Sequence, residues 1–289
     1  MNAFLLILVV LGVSAQHVTK KIYSQKGEGG TYTFSALSAL VALLFFIATS
    51  GGKLDFTWSI LPHAIGFAAT YSLSIVFSFL AIKEGPLSIT SLVTSYSLLI
   101  PSIYGLIAWD EEFSFLLAVG LLILAISIFL IRFEPKSKDD TQEKQRLTPK
   151  WLLYVLLAFV GGGGCSVFQK DQQLVFEGAY KNEFMIIALG ITFVTISIFA
   201  LCFEKKSVLM HAKRGLVTYV LCGAANGAVN YLVMLLSNRM NASVMFPIIS
   251  AGGILTSAVL SLTVYREKLS ALQKIGFVLG ILAIVVLNI

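Results

Sequence analysis

Apolar residues recur along this chain in runs of about twenty, the length a helix needs to cross the hydrocarbon of a bilayer. Within such a run the backbone satisfies its own N–H and C=O groups, so helix is the conformation each run predicts. The runs fall at Ala3–Tyr23, Tyr32–Ser50, Pro62–Ile82, Pro86–Ala108 and Phe113–Ile131. They resume at Trp151–Phe176, Glu183–Phe203, Leu216–Ser237, Asn241–Val264 and Leu269–Leu287. The predicted fold class is an all-α integral membrane protein of ten transmembrane helices, five in residues 1–131 and five in residues 151–289. Between them residues 132–150, RFEPKSKDDTQEKQRLTPK, form a charged linker flanked by Pro135 and Pro149.

Composition excludes a water-soluble domain. The 289 residues are 57% hydrophobic and 12% charged, with a mean hydropathy of +0.87, whereas soluble domains carry about a quarter charged residues. The first run resembles a secretory signal only superficially. Met1 to His17 holds no positive charge, while Lys20 and Lys21 follow it, the reverse of a signal peptide's order, and a retained helix is expected. Cys165, Cys202 and Cys222 all lie in apolar runs, a pattern of packing residues with neither a disulfide framework nor metal spacing.

Charge then sets the expected orientation in the cell membrane. Of the 21 Lys and Arg, alternate loops take all but Lys53, Lys170, Lys181 and Arg239. The positive-inside rule puts the linker in the cytoplasm and both termini outside. The net charge of +6 belongs to that inner face and calls for no nucleic-acid partner.

An internal repeat emerges when the two halves are laid over one another. WDEEFSFLLAVG (Trp109 to Gly120) meets YREKLSALQKIG (Tyr265 to Gly276) without a gap, matching Glu111 with Glu267, Ser114 with Ser270, Leu116 with Leu272 and Gly120 with Gly276. The same offset carries Ala68 and Ala69 onto Ala224 and Ala225. An odd number of spans per half turns the halves upside down relative to each other, the inverted-topology plan of many secondary transporters.

These features, with Glu267, Leu269 and Ser270 introducing the last helix and Gly276 and Gly280 within it, resemble the EamA-type drug/metabolite transporter superfamily. The resemblance spans nearly the whole chain. It implies a ten-helix inverted-repeat carrier with a central cavity lined by the first, third, fourth, sixth, eighth and ninth helices. It leaves the solute open, since relatives move amino acids, nucleotide sugars, amines and other metabolites. One departure is clear: small multidrug-resistance relatives use a carboxylate in the first helix, and AFLLILVVLGVSAQHVTKKIY has no Asp or Glu.

Candidate binding residues are the polar groups placed inside spans, where an unpartnered one is costly. Asn226 and Asn230 stand four apart in the eighth span and share a helix face, with Tyr231 beside them. An interhelical amide bond worth about 1 kcal/mol is the plain structural alternative. The third span offers Thr70, Tyr71 and Ser74, the first offers Gln16 and His17, and the sixth mirrors these with Gln169, Lys170 and Asp171. His17 is the deepest residue able to titrate near neutral pH; Lys170 and Asp171 are expected to snorkel or to pair with each other. Tyr96 and Ser97 precede Pro101, while Pro247 and Ser250 precede Gly252 and Gly253, as in helices that break or bend at a transporter midplane, with close helix packing the structural alternative. The run Gly161 to Gly164 marks a hinge or a close helix crossing. Asp110, Glu111, Glu112 and Glu267 read as surface acids favoured by helix N-termini, with Ser114 and Ser270 as caps.

The spans hold no arginine cluster for an anion and no buried acid for an organic cation. The substrate-binding set Gln16, His17, Tyr71, Ser74, Tyr96, Gln169, Asn226, Asn230 and Tyr231 therefore suits a small neutral or zwitterionic metabolite, such as an amino acid, moved by alternating access. A flippase for a lipid or lipid-linked sugar is the alternative. Enzyme chemistry has no constellation: His17, His63 and His211 are scattered, and neither metal, cofactor nor nucleotide-hydrolysis motifs occur. The expected partners are a small-molecule solute, the lipid bilayer and a coupling ion, proton or sodium, with the chain a monomer or homodimer.

Overall fold

The computed structural model describes residues 2–25, 30–84, 93–94, 96–132, 148–263 and 271–287. The described residues are helical with no strand. The helices are α1 (Asn2–Gln25), α2 (Thr31–Thr49), α3 (Leu61–Glu84), α4 (Leu99–Ala108), α5 (Phe115–Arg132), α6 (Pro149–Val175), α7 (Lys181–Phe203), α8 (Leu216–Ser237), α9 (Ala242–Thr263) and α10 (Ala271–Leu287). A short unnumbered helix, Val208–Arg214, leads into α8. Among the described residues six stretches are long and apolar enough to cross a membrane: Asn2–Lys20, Thr31–Thr49, Trp58–Ser78, Pro149–Val175, Lys181–Phe203 and Leu216–Ser237. Shorter apolar helices lie at Tyr96–Ala108, Phe115–Leu130, Ala242–Gly253 and Lys274–Leu287. Most of the charged linker, the start of the expected fourth span at Pro86, and the loop holding Glu267 and Ser270 lie outside the described residues.

Burial is distributed as a membrane protein requires. Phe4, Ile7, Leu153, Val160, Ile198, Leu201, Val217 and Val278 are exposed, while Gln169, Gln172, Gln173 and Asn226 are buried. Apolar helix faces turned outward and polar groups turned inward are stable only where the surroundings are themselves apolar.

Packing divides the chain into two compact units, each drawing on both halves of the sequence: Met1–Ser72 with Gly164–Met240, and Leu73–Gly163 with Asn241–Ile289. In the first unit α8 packs on α1 and α2, and α2 packs on α7. Glycines set the approach: a Cβ on Gly12 would lie 2.5 Å from Val229 Cγ2, and one on Gly223 2.5 Å from the Ser38 carbonyl. Its core gathers Phe46, Phe67, Phe184, Met185 and Met234, with Tyr71, Phe168 and Tyr231 against it. In the second unit α5 packs on α10, and α9 meets α4, α5 and α10. Ser127 donates to the Gly276 carbonyl at 2.6 Å across the α5–α10 contact.

The glycine run is a close crossing in each unit. A Cβ on Gly162 would sit 2.8 Å from Ser97 Oγ, and one on Gly163 2.7 Å from the Ser97 carbonyl and against Ile100. In the first unit a Cβ on Gly164 would meet Thr70 Cγ2 at 2.9 Å. Helix α6 runs unbroken through the glycines. Pro247 stands inside α9, which runs on through it, whereas Pro101 falls in the first turn of α4, directly after a 3-10 turn at Tyr96–Leu98, where a missing N–H breaks no helical bond.

Two carboxylates hold helix starts. Glu204, just after α7, accepts the Tyr32 N–H at 2.7 Å, the Thr33 N–H at 3.0 Å and the Thr33 hydroxyl. Glu111, after α4, accepts the N–H groups of Ala242 and Ser243 and the Ser243 hydroxyl, the latter two at 2.9 and 2.7 Å. Each places negative charge on the unsatisfied donors of a first turn, α2 and α9 respectively. The sequence places Glu111 correctly as a helix-terminus acid, but the helix it serves is not its own. Ser114 caps that one, accepting the Leu117 N–H at 3.0 Å.

Candidate functional site

The first unit carries a chain of side-chain amides between α6, α8 and α3. Gln169 Nε2 donates to Asn230 Oδ1 at 3.1 Å and to the Asn230 carbonyl at 3.3 Å. Asn230 Nδ2 donates to Asn226 Oδ1 at 2.7 Å and to the Asn226 carbonyl at 2.9 Å. Asn226 Nδ2 donates to the Tyr71 hydroxyl at 3.3 Å. The spacing of four on α8 puts both asparagines on one face, as the sequence predicts.

Every donor in this relay points the same way, from Gln169 towards Tyr71. Gln169 and Asn226 are 4% and 8% exposed, and an unbonded amide in such a place costs about 2–7 kcal/mol, so each member is held in orientation by the next. At the far end the Tyr71 oxygen accepts from Asn226, and among the described residues no acceptor takes its own O–H. The Tyr71 ring is fixed by Phe67, centroid to centroid 5.5 Å. The relay carries no formal charge.

Of the other expected site residues, Tyr231 turns to the aromatic core, with Phe45 and Phe46 at 6.5 and 6.3 Å and the Lys181 ammonium 5.8 Å from its ring. Gln16 is half-buried on α1, and only its carbonyl enters a described hydrogen bond, from Thr19 at 3.0 Å. His17 lies on α1, with its side chain outside the described residues. Ser74 and Tyr96 belong to the second unit. There Ser74 neighbours Gly162, and Tyr96 donates its hydroxyl to the Ala125 carbonyl at 2.6 Å.

The polar end of α6 departs from expectation. Lys170 is 2% exposed and does not snorkel; its ammonium donates to the Met240 carbonyl at 3.0 Å, tying α6 to the end of α8. Asp171 pairs with His63 Nε2 at 3.0 Å. Gln172 donates to the Ala179 carbonyl at 3.0 Å, bracing the turn in which the Gly178 N–H, at φ 83°, returns to the Gln173 carbonyl at 2.9 Å. Burial of Lys170 leaves no trace in the local sequence, because it depends on where the end of α8 arrives.

No family model matches this chain, and no curated protein matches it in sequence. A solved structure described as "Crystal structure of protein" is similar with a TM-score of 0.77 at 15% identity, over 99% of this chain and 95% of that one. At that identity the likeness shows a shared fold alone.

Proposed function

We propose that this chain is a secondary transporter of a small neutral or zwitterionic metabolite, built as ten spans in two inverted five-helix repeats of EamA type and working by alternating access. The observation that carries this reading is the Gln169–Asn230–Asn226–Tyr71 relay, an uncharged, oriented amide chain inside helices with apolar outer faces. Its terminal O–H is a donor suited to a solute carboxylate, carbonyl or hydroxyl oxygen. The absence of formal charge in the relay favours solutes whose charges cancel or are lacking.

The helix caps support the inverted pairing. Under five-plus-five numbering α2 corresponds to α7 and α4 to α9. Glu204 follows α7 and caps α2, while Glu111 follows α4 and caps α9. In each unit the carboxylate after one helix thus serves its repeat mate, and the Asp55 N–H after α2 returns to Glu183 at the start of α7 at 2.9 Å.

A thermal-shift screen of the purified protein against amino acids, amines, nucleosides and sugars tests the reading, since a ligand of the folded state raises apparent stability. A hit that Tyr71→Phe weakens at least tenfold supports it. A hit of unchanged affinity in that variant removes the relay from the site, and silence across the panel overturns the solute class.

A further inference from the structure

Between α7 and α8 the short helix Val208–Arg214 presents two dissimilar faces. One is pinned inward: His211 is buried, and a Cβ on Gly30 would meet its ring at 2.6 Å. Tyr23 donates its hydroxyl to the Gly30 carbonyl at 3.2 Å, and a Cβ on Gly215 would meet the Tyr23 ring at 2.6 Å. The helix is therefore fixed on the end of α1 and the start of α2, and it cannot turn its other face inward.

That other face is a shallow groove of about 620 Å³ lined by Lys206, Leu209, Met210, Lys213 and Arg214. Lys206, Leu209, Met210 and Lys213 follow the spacing of one helical stripe. Leu209 is 66% exposed and Met210 52%, and the apolar exposure continues on α8 through Leu216, Val217, Val220 and Leu221. Within residues 203–216 the one carboxylate is Glu204, which the α2 start already engages. Three cations thus surround two bare apolar side chains, with no acid of the segment left to neutralise them.

We infer that this groove is a docking site for an anionic phospholipid of the leaflet it faces, the phosphate held by Lys206, Lys213 and Arg214 and the acyl chains lying on Leu209 and Met210. The segment joins two apolar spans directly, so the groove stands at the depth where headgroup meets hydrocarbon. A basic, apolar-flanked helix lying in that interface is the arrangement that anionic bilayers attract. Neither the solute nor the transport reading enters this inference.

The test titrates the full-length detergent-solubilised protein with dioctanoyl phosphatidylglycerol and, separately, with dioctanoyl phosphatidylcholine, following Tm. A saturable rise with the anionic lipid alone is expected. Lys206→Gln/Lys213→Gln/Arg214→Gln should weaken it on the order of a hundredfold, from three surface cations near a lipid phosphate. Lys53→Gln/Arg239→Gln, which removes cations elsewhere, should leave the affinity unchanged. Equal affinity in the triple variant overturns the site. An equal rise with glycerophosphoglycerol, which lacks the chains, or with inorganic phosphate overturns the lipid as its occupant. Because the three side chains are exposed, the triple variant should keep its lipid-free Tm, and a fall in that value contradicts the surface assignment.

Discussion

In the first unit Glu204 holds the start of α2 with two backbone N–H groups and a hydroxyl, and in the second Glu111 holds the start of α9 with the same set. Inside, the units differ. The buried polar side chains described in the second unit are all serines: Ser97, Ser102, Ser127 and Ser243. Ser102 and Ser127 donate to backbone carbonyls, those of Leu98 and Gly276. The first unit buries Gln169, Lys170, Gln172, Gln173 and Asn226 as well. A feature present in both units is what a helical framework needs. Among the described residues the buried amides lie in the first unit alone; they cost more to bury than serines, and on the proposed reading that asymmetry is the mark of the recognition site.

The largest effects should come from the shared feature. Glu204→Ala and Glu111→Ala each remove a charged acceptor from three donors and are expected to cost about 3 kcal/mol, read by SDS-titrated unfolding in mixed micelles. Losses of similar size would support equivalent roles; a loss in one alone would break the equivalence. Gly163→Ala comes next, at about 2 kcal/mol, because its methyl has to displace Ile100 and the Ser97 carbonyl from a packed crossing. Tyr96→Phe gives up the bond to Ala125 and should cost about 1 kcal/mol with no change in solute affinity, in contrast to Tyr71→Phe. Smallest is Gly190→Ala on α7: a Cβ there meets nothing within 4 Å, and a gain of about 0.5–1 kcal/mol follows from helix propensity.

The helices were legible in the sequence because apolar runs of membrane length admit little else. Leu216–Ser237 was read to the residue, and the expected end of the seventh span at Phe203 matches α7. The pairing of Asn226 with Asn230 followed from helical spacing, which is local information. What the sequence hid is what depends on a partner from far along the chain. Glu111 caps a helix that begins at Ala242, and Lys170 is buried because the Met240 carbonyl reaches it. Tyr231 neighbours Asn230 in sequence, yet the helical turn points it at Phe45 and Phe46 instead. The short helix at Val208–Arg214 escaped the span pattern because its exposed face mixes lysine with leucine and methionine, and no apolar run signals it.

The most direct measurement is solute uptake into proteoliposomes by Asn226→Leu/Asn230→Leu beside the unchanged protein, with unfolding followed on the same samples. Gln169 keeps the backbone carbonyl of residue 230 as an acceptor, so no amide donor is stranded, and the loss of the side-chain amide contacts should lower stability by only about 1 kcal/mol. Uptake should fall at least tenfold, because Gln169 and Tyr71 would no longer be joined. Uptake at the unchanged rate in a folded double variant would contradict the assignment of the relay as the recognition site.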